Sequence, residues 1–189
     1  MTERPARKRR AVIDANVLIS TLLNSDPARS AAAAVVMAAD AGAFSAVVPA
    51  EAIDEAVRVA ASKPWLAARI SPDAVQRLLL ILGRVAEVAP PLFGPIPEVS
   101  RDPGDDFLVA QAVRAGTEFL VTRDKDLLDL EEVAGVRIVD PVAFLAVLRS
   151  TRERSDTVSP VARAAIPPHS PRPHPAEKRD RKPFQSPRL

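Results

Sequence analysis

The stretch RDPGDDFLVAQAVRAGTEFLVTRDKDLL, residues 101–128, decides the fold. The acidic pair Asp105 and Asp106 opens a run with apolar residues at helical spacing, and Gly116 stops it. Residues 119–122, FLVT, then read as a buried strand, and Asp124 follows at once. A helix, a glycine stop, a strand and an acid just past it are the units of a parallel α/β sheet.

The same alternation continues outward in both directions. Residues 10–13 read as a strand that ends at Asp14 in VIDANV, and a helix follows over 17–23. Asp26 before Pro27 has helix-start chemistry and predicts an Ala-rich helix over 28–41, ended by Gly42. A strand is expected over 44–48, then a helix opened by Pro49 with Ile53, Ala56, Val57 and Ala60 on one face. Ser71-Pro72-Asp73 starts another helix that Gly83 is expected to stop, with a strand over 85–88. A last strand over 137–139 and a helix over 141–148 complete the pattern. The Pro-rich connection 90–104 is long for a compact domain, which points to function or mobility. The expected class is α/β with a mostly parallel central sheet, right-handed crossovers and ligands beyond the carboxyl ends of the strands.

Composition divides the chain into a basic arm (1–10), one domain (11–149) and a Pro/Arg-rich tail (150–189). The tail holds 8 of the 19 prolines and both histidines, His169 and His174, with few large apolar groups, so disorder is expected there and no catalytic role for either histidine. The net charge of +2 hides an asymmetry: residues 11–149 carry 12 basic and 19 acidic side chains. An acidic middle is odd for a nucleic-acid binder unless cations bind there, while the basic ends can collect nucleic acid electrostatically or simply solubilise the chain. With no cysteine, disulfides and thiolate metal sites are excluded. No apolar run is long enough to span a membrane, and a cytoplasmic protein is expected. Aromatics are 4% of residues, so the core should be built from small side chains, with Trp65 packed against the domain.

Asp14, Asp105, Asp106 and Asp124 can all lie at one sheet edge, and Glu51, Asp54 and Glu55 can lean over it. Asp106 or Asp124 taken alone reads as a helix cap. Asp14 does not, because it sits in an apolar run where an unpaired carboxylate costs several kcal/mol. Asn16, two residues on, is placed to orient it. Acids that converge without matching cationic side chains repel one another unless a metal neutralises them. Oxygen-only ligation favours Mg²⁺ or Mn²⁺, and such a site suits phosphodiester hydrolysis. Asp105 either supports the site or belongs to a turn. Arg123 and Lys125 flank Asp124 and could meet a phosphate backbone, or are plain exposed loop charges.

The stretches VIDANVLIS (12–20), AIDEAVRVAASKPWL (52–66), 101–128 and GVRIVDPVAFL (135–145) together resemble the PIN-domain family, and within it the VapC-like ribonuclease toxins. The resemblance implies a three-layer α/β/α fold and a Mg²⁺- or Mn²⁺-dependent endoribonuclease. It implies catalytic, metal-holding acids at Asp14, Glu55, Asp106 and Asp124, with Asn16 and Thr122 in support. Glu51, one turn before Glu55 on the same face, is the alternative helix acid. A toxin role, an antitoxin partner protein and a homodimer are implied in the same way. Ala15 and Pro49 stand where many relatives carry a hydroxyl residue.

Three rivals share parts of this pattern. A PIN nuclease in housekeeping RNA processing would have the same acids. A phosphoacceptor receiver domain also clusters acids around Mg²⁺, but the acidic pair here comes late in the chain. A PIN-like module kept only for binding differs in turnover. A dinucleotide-binding enzyme is disfavoured because no Gly-rich loop follows the first strand.

Overall fold

A computed structural model describes residues 8–101 and 103–158. The chain runs β1 (Arg10–Ile13), α1 (Ala15–Leu23), α2 (Ala31–Asp40), β2 (Ser45–Pro49), α3 (Ala50–Ser62), α4 (Pro64–Ala67), α5 (Pro72–Val85) and β3 (Ala86–Ala89). It continues with α6 (Asp106–Arg114), β4 (Phe119–Val121), α7 (Lys125–Leu128), β5 (Glu132–Val133), β6 (Val136–Val139) and α8 (Pro141–Val158). The six strands form one sheet in the order β3-β2-β1-β4-β6-β5. Every pairing is parallel except β5 with β6.

Period-two alternation divides the core into two layers. Ala11, Ile13, Ala46, Val48, Phe119 and Val121 face the side packed with residues of α1, α2, α3, α5 and α8. Val12, Val47, Leu120 and Ile138 face the other side, against α6 and α7. The result is the expected three-layer α/β/α arrangement. Small side chains dominate the core, and three aromatics anchor it: Phe144 of α8 stands edge-on to Phe44 at 4.9 Å and tilts against Phe119 at 5.4 Å.

Several local readings are corrected. Asp26 and Pro27 do not start α2. The Asp26 side chain accepts from the Ala28 amide at 2.9 Å and closes its own turn, and the helix starts where the Ser30 hydroxyl accepts from the Ala33 amide. Gly83 does not stop α5, which continues to Val85. No neighbour approaches the Gly83 position within 4 Å, and the only cost of carrying it is glycine's low helix propensity. Trp65 is 56% exposed because its neighbour Leu66 takes the buried place. The last helix runs nine residues past position 149, to Val158, and the disorder expected for the tail otherwise falls on 159–189, outside the described residues, as do positions 1–7 of the basic arm. The antiparallel β5 closes through Ala134 and Gly135, both at positive φ, a turn that suits two strands of right-handed twist.

The order of the strands positions the site. From β1 the chain builds outward through β2 and β3, then returns to place β4 on the other side of β1. The crevice at this reversal lies beyond the carboxyl ends of β1 and β4. The first residues past those ends are Asp14 and Thr122.

Candidate active site at the carboxyl edge of the sheet

Parallel pairing puts Ile13 level with Val121, and therefore Asp14 level with Thr122. Both are buried, at 6% and 0% exposed. The Asp14 amide donates to the Val121 carbonyl at 3.1 Å, so the ladder continues one step past the strand before α1 begins.

Thr122 is the hub of the edge. Its hydroxyl donates to Asp14 Oδ2 at 2.6 Å and accepts from Asn16 Nδ2 at 3.1 Å and from the Asp124 amide at 2.9 Å. That uses its one donor and both acceptor positions. The two nitrogens can only donate to it, so the hydroxyl proton must point at Asp14. Asn16 Oδ1 accepts from the Arg123 amide at 3.0 Å, which fixes the orientation of the Asn16 amide. Three side chains and the backbone amides of Arg123 and Asp124, from two distant parts of the chain, are thereby held in register.

Burial pushes the Asp14 carboxyl up to about 6 from 3.8. The Thr122 hydroxyl and the Asn16 and Ala15 amides oppose the rise, and the negative charge of Asp105 adds to it. Asp105 is thus the member of the acidic pair whose charge Asp14 feels. Asp106 is differently engaged. It is 2% exposed, its Oδ2 accepts from the Val99 amide at 3.0 Å and its Oδ1 from the Ser100 amide at 2.8 Å. Burial works to raise its carboxyl, but the Ser100 hydroxyl and the Ser100 and Val99 amides outweigh that and hold it below the usual carboxylate range. At the other end of the Pro-rich connection, Gln111 Nε2 donates to the Pro90 carbonyl at 2.6 Å. Helix α6 therefore clamps both ends of this loop, and Asp106 is one of the clamps.

Asp124 is half-buried and caps α7, with Oδ1 accepting from the Asp126 amide at 2.8 Å. On α3, Glu55 is exposed. Glu51 lies in the first turn, two residues beyond Pro49, which the β1–β2 register carries level with Asp14. Glu51 Oε2 is buried and has no hydrogen-bond partner among the described residues. Asp54 is exposed on the same helix. Arg123 and Lys125 are exposed on either side of Asp124.

The structure thus brings Asp14, Asn16, Thr122 and Asp124 into one network, with Asp105 near enough to act on Asp14 through its charge. Among the described residues, no three acidic side chains stand close enough to close on one ion. The donor set nevertheless fits a hard divalent cation. It is all oxygen, and its buried acid Asp14 carries a penalty that a positive charge would relieve; on α3, Glu51 offers a buried carboxylate atom without a partner among the described residues. Sequence reasoning had no signal for Arg29, which comes near Arg123 and Lys125 only through the fold.

No curated protein matches the chain significantly. Among solved structures, the chain is similar to a PilT N-terminus domain protein from the hyperthermophilic archaeon Sulfolobus solfataricus P2, at 17% identity and a TM-score of 0.45, over 74% of this chain and 92% of that one. A PIN domain family profile matches residues 10–126, which takes in β1, the Thr122 hub and Asp124. The chain belongs to the PIN domain family, whose members are generally nucleases.

Proposed function

We propose that the protein is a Mg²⁺- or Mn²⁺-dependent endoribonuclease whose ion binds at Asp14, and that Asp105, Asp124 and Glu51, which in the metal-free chain do not stand close enough to share an ion, close on it when it binds. Asp105 takes the place given to Asp106 by the family resemblance, because both Asp106 oxygens are engaged by backbone amides. Glu51 takes the place of Glu55, because it carries the buried carboxylate oxygen that lacks a partner. The observation that carries the reading is Asp14, an acid buried at the switch point of the sheet and raised further by a second acid.

When bound, the cation supplies Lewis acidity and neutralises charge at the phosphate. The remaining work belongs to the chain. Thr122 holds the Asp14 carboxylate in one orientation through its hydroxyl proton. Asn16 locks Thr122 from the opposite side and anchors the backbone that leads to Asp124. The Asp106 clamp sets the start of α6 and so the position of its neighbour Asp105.

The family resemblance supports, as part of the same proposal, a toxin role with an antitoxin partner that blocks this edge, and a homodimer. A short upstream reading frame for a DNA-binding antitoxin supports the toxin role; its absence favours RNA processing.

The test is titration calorimetry with Mn²⁺ beside cleavage of a labelled RNA. Wild type binds Mn²⁺ and cleaves; Asp14→Asn remains folded, loses cleavage and binds Mn²⁺ at least tenfold more weakly. Wild-type cleavage by Asp14→Asn refutes the assignment.

A further inference from the structure

A groove of about 580 Å³ runs from the carboxyl edge across the start of α2 toward the start of α8. Arg29, Arg123 and Lys125 line it together with the polar Ser20 and Asn24, and Asp140 is the one acid among its lining residues. The setting makes this concentration informative. Residues 11–149 carry 19 acids against 12 bases, yet a quarter of those bases meet in one groove. The Asp140 charge is partly engaged, since its Oδ1 accepts from the Ala143 amide and caps α8.

Two of its lining residues, Arg123 and Lys125, flank Asp124 in the chain, which puts one end of the groove beside the site. Arg123 is already fixed: its amide donates to Asn16 Oδ1 at 3.0 Å and its guanidinium donates to the Ser20 hydroxyl. A cation held this way loses little side-chain freedom on meeting a phosphate. Arg29 is 82% exposed and paired only loosely with Asp26, at 3.6 Å, a surface interaction that a phosphate can replace.

We propose that this groove carries the sugar–phosphate backbone of a single-stranded RNA to the acidic edge, with Arg29, Arg123 and Lys125 each meeting a phosphate. That the bound strand is also the substrate rests on the nuclease reading; the binding does not. The contacts are to phosphate, so they position the strand and do not read its sequence.

Fluorescence anisotropy of a labelled 12-nucleotide RNA, with the full chain and EDTA present, reads binding without cleavage. Arg29→Ala and Lys125→Ala should each weaken binding about threefold to tenfold and lower the steepness of the salt dependence by about 0.7 for the one phosphate left without its cation. Arg114→Ala, exposed at the far end of α6, should change neither quantity. Wild-type affinity and salt dependence in both groove variants, or no RNA binding by wild type, overturns the groove. The two readings fail separately. If wild type does not cleave with Mn²⁺ but the groove variants still bind RNA more weakly, the groove stands without the nuclease. If wild type cleaves and the groove variants bind normally, the nuclease stands without the groove.

Discussion

Replacing Asp14 by Asn should make the metal-free protein more stable at pH 7.5, although it removes a ligand of the proposed cation. Burial moves the folded carboxyl from 3.8 to about 6. Below 3.8 the folded and unfolded chains are both protonated there and no penalty exists. As pH rises from 3.8 to about 6, the unfolded chain releases its proton first and folding stability falls; above about 6 the loss is complete. A displacement of about two pH units at about 1.4 kcal/mol each gives roughly 3 kcal/mol. Asparagine abolishes this penalty and can still accept from Thr122, but its amide nitrogen cannot accept from the Asn16 and Ala15 amides that reach the carboxylate, which costs about 1 kcal/mol. The net gain is about 2 kcal/mol at pH 7.5. At pH 4.5 only about 1 kcal/mol of the penalty has developed, so variant and wild type should be nearly equal. Urea unfolding in EDTA at the two pH values measures both numbers. Saturating Mn²⁺ should reverse the order, since a ligand at a hundred times its Kd adds about 2.7 kcal/mol to wild type alone. A variant less stable than wild type in EDTA at pH 7.5, or a gap that does not widen between the two pH values, would refute the reasoning.

The acidic pair should separate by function. Asp106→Ala removes the acceptor for the Val99 and Ser100 amides and should lower stability by about 3 kcal/mol. Because its folded carboxyl is depressed, that contribution is present above 3.8 and lost as pH falls through the lowered value, so the Asp106→Ala defect should shrink in acid. Asp105→Asn should instead keep or raise stability, by removing a charge beside Asp14, while weakening Mn²⁺ binding in calorimetry; the opposite pattern would return the ion to Asp106. Gly83→Ala should raise stability by about 0.5–1 kcal/mol in urea unfolding, because the position is helical and open; no gain would mean that the helix is interrupted there in solution.

What the sequence showed was the repeating unit. Strands β1, β2 and β4 are short apolar runs with an acid or a helix opener just beyond, and burial on both faces of a parallel sheet writes that pattern directly. Where it failed, local chemistry had two valid outcomes. Asp26-Pro27 suits a turn as well as a helix start, and Gly83 can end a helix or sit quietly inside one. The acidic run after Asp124 carries no clear helical signal, yet Leu127 is fully buried and a short α7 forms around it. Two-residue β5 carries no periodicity at all. The acidic pair is the instructive case. Helical spacing places Asp105 nearer than Asp106 to the buried stripe of Leu108, Val109 and Ala112, and Asp106 is nonetheless the more buried. The Pro-rich loop folds over it, a hydrogen bond from seven residues away in sequence that no pattern within the helix records.

The contrast between the two buried acids supports the proposal that a cation binds at one of them. Asp106 and Asp14 are both removed from solvent at the same edge, and both accept backbone amides, but their carboxyls move in opposite directions. Asp106 receives enough donors to offset burial, so its charge is compensated by the chain itself. Asp14 receives donors too, and they do not suffice. Its strongest partner, Thr122, has no further hydrogen-bonding capacity, since its one proton and both acceptor positions are taken. The neighbouring charge is negative rather than positive. A residue that the fold buries, orients through Thr122 and Asn16 and leaves electrostatically incomplete supports the proposal of a ligand that the chain itself does not supply, and among hard ligands for oxygen a divalent cation is the one that also prepares a phosphodiester for attack.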